Sequence, residues 1–185
     1  MKDKITIIGC GNVGTCLSYT ILLSTLENKI NIKTLTILDP DIIEEHNFPY
    51  GITMMNHREY KHYIGYPKGF LIVEELIDIN EKIQVGTFAE IYSEIYKKKD
   101  NEFIIDCRDS NSQIESSDIK LSCDGNYGKI IVNPKNKKGE PKNYTFYRSK
   151  FSSLFLSCFC VNIITKMLQG EIYQDKEEKT IVYEL

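Results

Sequence analysis

The residues best suited to chemistry sit at the ends of short apolar runs. Gly9-Cys10-Gly11-Asn12-Val13-Gly14 is a G-x-G-x-x-G turn that follows the β-branched run Lys4 to Ile8 and opens a helical pattern. Such glycines let backbone N–H groups approach a phosphate, and the free N–H groups at the start of the helix, Asn12 among them, add to the cradle. A tight strand-to-helix turn without any ligand is the alternative. Asp39 ends the second apolar run, twenty-five positions after Gly14, where its carboxylate would accept hydrogen bonds from ribose hydroxyls. Lys68 opens a further helical pattern and sets a cation against the positive end of a helix dipole, an arrangement that an anionic ligand relieves. Asp106 and Asp109 close the run Glu102 to Asp106, where a carboxylate serves either a ligand or a neighbouring helix cap. Up to this point the ligand is open between ATP and a nicotinamide dinucleotide.

The elements that must position these residues alternate in type. Lys4 to Ile8 and Thr34 to Leu38 read as strands around a helix from Asn12 to Leu26, whose apolar residues include Val13, Leu17, Ile21 and Leu22. Asp39 to Tyr66 is polar and aromatic, and reads as an irregular excursion, with Asp41 to Tyr66 as the expected partner-facing surface. A helix is expected from Pro67 to Ile79, then a strand from Lys82 to Gly86, a short helix from Ile91 to Lys98 and a strand from Glu102 to Asp106. Ser110 to Ser122 reads as a polar connection, Lys129 to Val132 as a strand and Phe151 to Leu168 as a long helix ended by Gly170. Lys179 to Tyr183 adds a terminal strand. Alternating strands and helices imply an α/β, Rossmann-like domain over residues 1–185, with a mainly parallel sheet flanked by helices.

Composition narrows the function. With 42% apolar and 26% charged residues, the 185-residue chain can bury a core, which excludes disorder as the main state. A net charge of −3 provides no general field for nucleic acid or an anionic membrane, so any anion must be held locally. No signal peptide is recognisable, and the longest uncharged stretch, Phe151 to Thr165, is shorter than the ~20 residues of a membrane span. A cytoplasmic protein is expected, and the six cysteines, without a CxxC pair or disulfide framework, suit a reducing compartment. His46, His57 and His62 have no i, i+4 pair, so zinc is not expected. Nothing near Cys107 or Cys123 in sequence would activate a thiolate, and both read as small buried hydrophobes. Cys158 and Cys160 read as packing residues, and Lys135, Lys137, Lys138 and Lys142 as a solvated loop.

Three longer blocks break the tie between ATP and a dinucleotide. Ile37 to Asn47, with Asp39, Asp41 and Asn47, resembles the D-x-D-x-V-x-x-x-N segment of the ThiF-type, or ubiquitin-activating, superfamily. Ile64 to Val85 resembles that family's G-x-P-K helix and the strand after it, through Gly65, Pro67, Lys68, Ile79 and Asn80. Phe103 to Asn111 resembles its strand-end D-x-x-D-N, with Asp106 and Asp109 in place and Ser110 inserted before Asn111. The last helix with Gly170 is similar to the family's closing helix, so the resemblance spans about residues 4–170.

This resemblance implies a ThiF-like adenylation fold. It implies ATP and Mg2+ as cofactors, with Gly9, Gly11, Asn12 and Gly14 at the phosphates and Asp39 at the ribose. Asn47 and Lys68 would meet the triphosphate and Asp109 the magnesium, with Lys68 and Asp109 carrying the catalysis; Asp41 and Asp106 would support the site. The implied reaction is adenylation of the C-terminal carboxylate of a small ubiquitin-like or sulfur-carrier protein or peptide. The partner would be that carrier, together with a second copy of the chain or a ThiF-like subunit in a dimer.

This chain departs from the family in three places. Tyr50 stands where the family has an arginine three positions after the asparagine, so Arg58 or Lys61 is the expected substitute. The strand at Lys4 leaves little room for the family's arginine-bearing N-terminal extension, and Asn133 to Lys150 contains no cysteine for a thioester step. A degenerate scaffold or hetero-oligomer subunit is therefore the alternative function. An NAD-dependent oxidoreductase ranks below it, because that reading leaves the Lys68 and Asp106/Asp109 blocks without a purpose.

Overall fold

The computed structural model describes residues 2–50, 61–88, 98–108, 117–124, 127–135, 150–173 and 177–184. A seven-stranded sheet runs β3-β2-β1-β4-β5-β6-β7, built from β1 (Lys4–Ile8), β2 (Thr34–Leu38), β3 (Gln84–Phe88), β4 (Glu102–Asp106), β5 (Ile119–Asp124), β6 (Tyr127–Val132) and β7 (Lys179–Glu184). The first five strands in that order are parallel, β6 runs antiparallel beside β5, and β7 pairs antiparallel with β6 and so points back along the parallel set. The α/β, mainly parallel architecture expected from the alternation is the one observed.

β1 lies between β2 and β4, with Ile5 opposite Leu35 and Phe103, and Ile7 opposite Ile37 and Ile105. A strand's side chains alternate between faces, so these six share one face of the sheet. Three helices pack there: α1 (Asn12–Leu26), α2 (Lys68–Leu76) and α3 (Lys150–Leu168). Leu17, Ile21 and Leu22 of α1, Leu71, Ile72 and Leu76 of α2, and Leu156, Cys160 and Ile164 of α3 complete a fully buried core. The opposite face carries a smaller apolar cluster of Ile8, Leu38 and Ile104. Beside it lie buried polar groups: Glu102 accepts a hydrogen bond from Thr6 and an ion pair from Lys4, and Asp118 pairs with Lys2 at 2.7 Å and Lys98 at 2.6 Å. Each carboxylate is thus matched by a cation, as burial of charge requires.

Several boundaries differ from the sequence reading. α2 begins at Lys68, with Pro67 as its N-cap, and closes at Leu76 rather than Ile79, because Ile79 N–H turns back to the Leu76 carbonyl in a tighter turn. β3 starts two residues later than expected, since Ile83 N–H bonds to Asn80 and the pairing with β2 begins at Gln84. Ser110 to Ser122 is not a connection throughout: its last four residues belong to β5, which the sequence reading missed. Residues 51–60, among them Arg58 and His57, residues 91–97 of the helix expected from Ile91 to Lys98, and Asp109 lie outside the described residues. Among the described residues no helix is long and apolar enough to cross a membrane.

The turn from β1 into α1 sets the tightest contact. Gly9 has φ +87°, and a Cβ on Gly14 would collide with the Gly9 carbonyl oxygen. Nothing lies within 4 Å of the corresponding position on Gly11. Gly14→Ala is therefore expected to cost about 1–3 kcal/mol in urea unfolding, the scale of overpacking a close contact, while Gly11→Ala stays within about 0.5 kcal/mol. Equal losses in the two variants would contradict this account of the turn.

Candidate functional site

The C-terminal ends of β1, β2 and β4 meet where the strand order reverses, the position at which open α/β sheets bind ligands. A cleft of about 550 Å³ opens there. Gly9, Gly11 and Asn12 form its floor, Asp39, Asp41, Asn47 and Lys68 one wall, and Cys107 and Arg108 the other, with Cys123 and Ser153 beyond. Most of the residues singled out in the sequence are thus brought to one place. Gly14 packs behind the floor, against Gly9.

The floor is prepared for an anion by what it lacks. α1 begins at Gly11 as N-cap, with no side chain bonded to the cap and no acidic residue in the first turn. Its first turn therefore presents backbone N–H groups and the positive end of a 15-residue helix. The open space over Gly11 is where a phosphate would rest, and a side chain there would fill it.

Asp39 is buried, and its carboxylate is fixed by two backbone donors. Cys10 N–H donates to Oδ2 at 2.6 Å and Asp41 N–H to Oδ1 at 2.8 Å. One carboxylate thereby ties the glycine turn to the segment after β2. Each oxygen keeps a lone pair for a further donor such as a ribose hydroxyl.

Backbone pairing between two distant segments delivers Lys68. Ile43 N–H bonds to the Tyr66 carbonyl at 2.8 Å, Gly65 N–H to Ile43 at 2.9 Å and Lys68 N–H to Asp41 at 2.9 Å, around a bridge between Ile42 and Pro67. The Lys68 ammonium then donates to Asp41 Oδ2 at 2.9 Å. Asp41 is thus the counter-ion of Lys68, and its carboxylate, about two-thirds exposed, stands where a ligand anion would approach. Asn47 accepts the Glu44 N–H at 2.8 Å and so caps the 3-10 turn Glu45–Tyr50, with its amide nitrogen 3.3 Å from His46 Nε2.

Asp106 is placed differently from the sequence expectation. It is fully buried, and accepts from Arg108 Nε at 3.0 Å, Arg108 Nη2 at 3.3 Å and Lys120 Nζ at 3.3 Å. Its carboxylate organises two cations instead of standing open to a ligand. Arg108 on the cleft wall, and Lys120 behind it, are cations that sequence reasoning missed. Arg108 stands at a variable position of the strand-end D-x-x-D-N block and Lys120 in no motif; Lys120 reaches Asp106 only because β5 pairs with β4 in a register that sets those two residues side by side.

Cys10 lies beneath Asp39, and burial together with that carboxylate pushes its thiol well above the ordinary value. Burial alone raises Cys160. Neither is a nucleophile.

The element order, the glycine turn and the cleft at the strand reversal together define a ThiF-like α/β fold. Solved structures share it over nearly the whole chain. E. coli MccB with ATP matches at a TM-score of 0.69 and 18% identity, covering 99% of this chain and 60% of that one. E. coli MccB with AMPCPP and selenomethionine MccA matches at 0.68 and 17%, covering 99% and 61%, and selenomethionine PaaA at 0.68 and 18%, covering 99% and 69%. The chain therefore spans about 60% of the length of MccB, and at these identities the likeness is one of fold. No protein-family model and no curated protein matches the sequence.

Alkylation of the folded protein is expected to label exposed Cys158 first, while Cys10 and Cys160 react only after unfolding, as followed by mass spectrometry of peptides. Rapid native labelling of Cys10 would contradict the packing described around Asp39.

Proposed function

We propose that the chain binds ATP in this cleft and adenylates a carboxylate at the C-terminus of a peptide or small protein. The observation that carries the reading is the convergence of a bare helix N-terminus, the fixed Asp39 carboxylate and the Lys68 ammonium around one cleft of nucleotide size. The likeness to MccB, solved with ATP and with AMPCPP and MccA, supports it at the level of fold.

In this reaction a carboxylate oxygen attacks the α-phosphorus, forming a C–O–P bond while the bond to the β-phosphate oxygen breaks and pyrophosphate leaves with that electron pair. Two anions must be brought together, so the site's task is to offset charge. The turn at Gly11 and Asn12 would hold phosphate oxygens, Asp39 the ribose, and Asn47 and Lys68 the triphosphate. Lys68 would exchange Asp41 for a phosphate, a substitution of one anion for another that leaves its charge balanced.

Asp106, engaged by two cations, does not suit a metal, and among the described residues no group of three His, Cys, Asp or Glu side chains could hold one. Magnesium needs few protein ligands when phosphates supply oxygens, so Asp109 remains its proposed contact. Bound there, Mg2+ would offset the charge of the leaving pyrophosphate. Pairing with a second ThiF-like chain belongs to the same proposal.

The test is titration of the purified chain with Mg-ATP and with NAD, followed by carboxylate-dependent exchange of pyrophosphate into ATP over a panel of peptides. ATP binding without NAD binding is expected, with Gly11→Ala weakening ATP. Lys68→Ala and Asp109→Ala are each expected to lose roughly 2–4 kcal/mol of transition-state stabilisation in the exchange assay. Wild-type exchange rates in both variants would overturn the assignment.

A further inference from the structure

Arg108 lies across the cleft from Lys68, and its setting is unlike that of a surface arginine. Two of its five N–H groups, on Nε and Nη2, are taken by the fully buried Asp106 carboxylate. The other three meet no acceptor among the described residues, and the side chain, 28% exposed, lines the cleft. Its stem lies against the glycine turn: a Cβ on Gly9 would come within 3.0 Å of Arg108 Cγ and 3.1 Å of the Arg108 backbone nitrogen. The guanidinium is therefore held beside the floor on which a phosphate would rest.

Charge points the same way. Lys120 Nζ reaches both Asp106 Oδ2, at 3.3 Å, and the Arg108 carbonyl, at 3.4 Å. Among the described residues one carboxylate thus serves both cations. A guanidinium fixed on one edge, with no acceptor on its other edge among the described residues, matches the two-oxygen geometry of a phosphate.

We propose that Arg108 is a phosphate-contacting residue of the nucleotide site, with Asp106 and Lys120 as the positioning residues that fix its guanidinium. The proposal rests on the ATP reading above and adds a cation that the motifs do not specify. Tyr50 stands at the position where the resemblance leads one to expect an arginine, and Arg108 supplies such a cation from the opposite wall.

The experiment is calorimetric titration of the wild type, Arg108→Gln and Arg108→Lys with ATP, adenosine and inorganic pyrophosphate, each protein first checked for a cooperative thermal transition. Arg108→Gln is expected to weaken ATP at least tenfold and adenosine less than twofold, with Arg108→Lys between wild type and Arg108→Gln for ATP. An ATP affinity within twofold of wild type in Arg108→Gln overturns the proposal. So does an equal loss for ATP and adenosine, which marks a structural role. If the glutamine variant fails to fold, the lysine variant decides: a loss confined to ATP supports the contact, and no loss or an equal one overturns it. If the wild type binds no ATP, the nucleotide reading fails, and pyrophosphate then decides the fate of Arg108. Pyrophosphate binding that Arg108→Gln removes supports an anion contact, and binding that is absent or unchanged overturns it.

Discussion

The approach of α1 to the end of β1 is the constraint on which the rest of the site depends. Gly14 leaves no gap to the Gly9 carbonyl that a side chain could occupy, and Gly9 holds a left-handed conformation that glycine adopts at little cost. Because of this contact the helix starts at the strand's end and turns its first-turn N–H groups toward the cleft. The same turn makes Cys10 N–H available to Asp39, which links β1 to the segment after β2. It also leaves the space beside Gly9 in which the stem of Arg108 lies. One backbone contact therefore sets the floor of the cleft and fixes a group on each of its walls.

Local pattern revealed the first half of the fold well. β1, α1, β2 and β4 have the limits that apolar run length and periodicity suggest, because each is a short apolar segment bounded by glycine or charge. β5 escaped because its sequence, Ile-Lys-Leu-Ser-Cys-Asp, places a lysine inside, and a buried lysine reads as surface until its partner is known. That partner, Asp106, lies fourteen residues away on the neighbouring strand. The two residues between Asp124 and Tyr127, Gly125 and Asn126, were a usable signal for a pair of antiparallel strands.

The site divides along the same line. The placement of the glycine turn, Asp39 and Lys68 at the cleft was legible because it follows from position at a strand end or helix start. Arg108 and Lys120 were not, since their placement depends on strand register and on a buried carboxylate. Asp106 was singled out correctly as special but for a different reason: it arranges cations and is itself closed to solvent. Motif matching finds groups that face a ligand in many proteins. It misses those whose orientation comes from a buried counter-charge in one.

The two ion pairs on the cleft walls differ in a way that matters for any anion entering between them. Lys68, itself 12% exposed, is paired with an Asp41 carboxylate that is 66% exposed, so water competes for the Asp41 side of the pair and weakens it. Moving that ammonium from Asp41 to a phosphate costs little. Arg108 is paired with a carboxylate that water does not reach, and separating them would take two charge-assisted hydrogen bonds from a buried acceptor that no solvent replaces. In the proposed reaction the Arg108 guanidinium would meet a ligand without leaving Asp106, through the N–H groups that find no acceptor among the described residues. The cleft would then hold one cation able to follow its ligand and one that fixes where the ligand sits, two restraints that suit the joining of two anions.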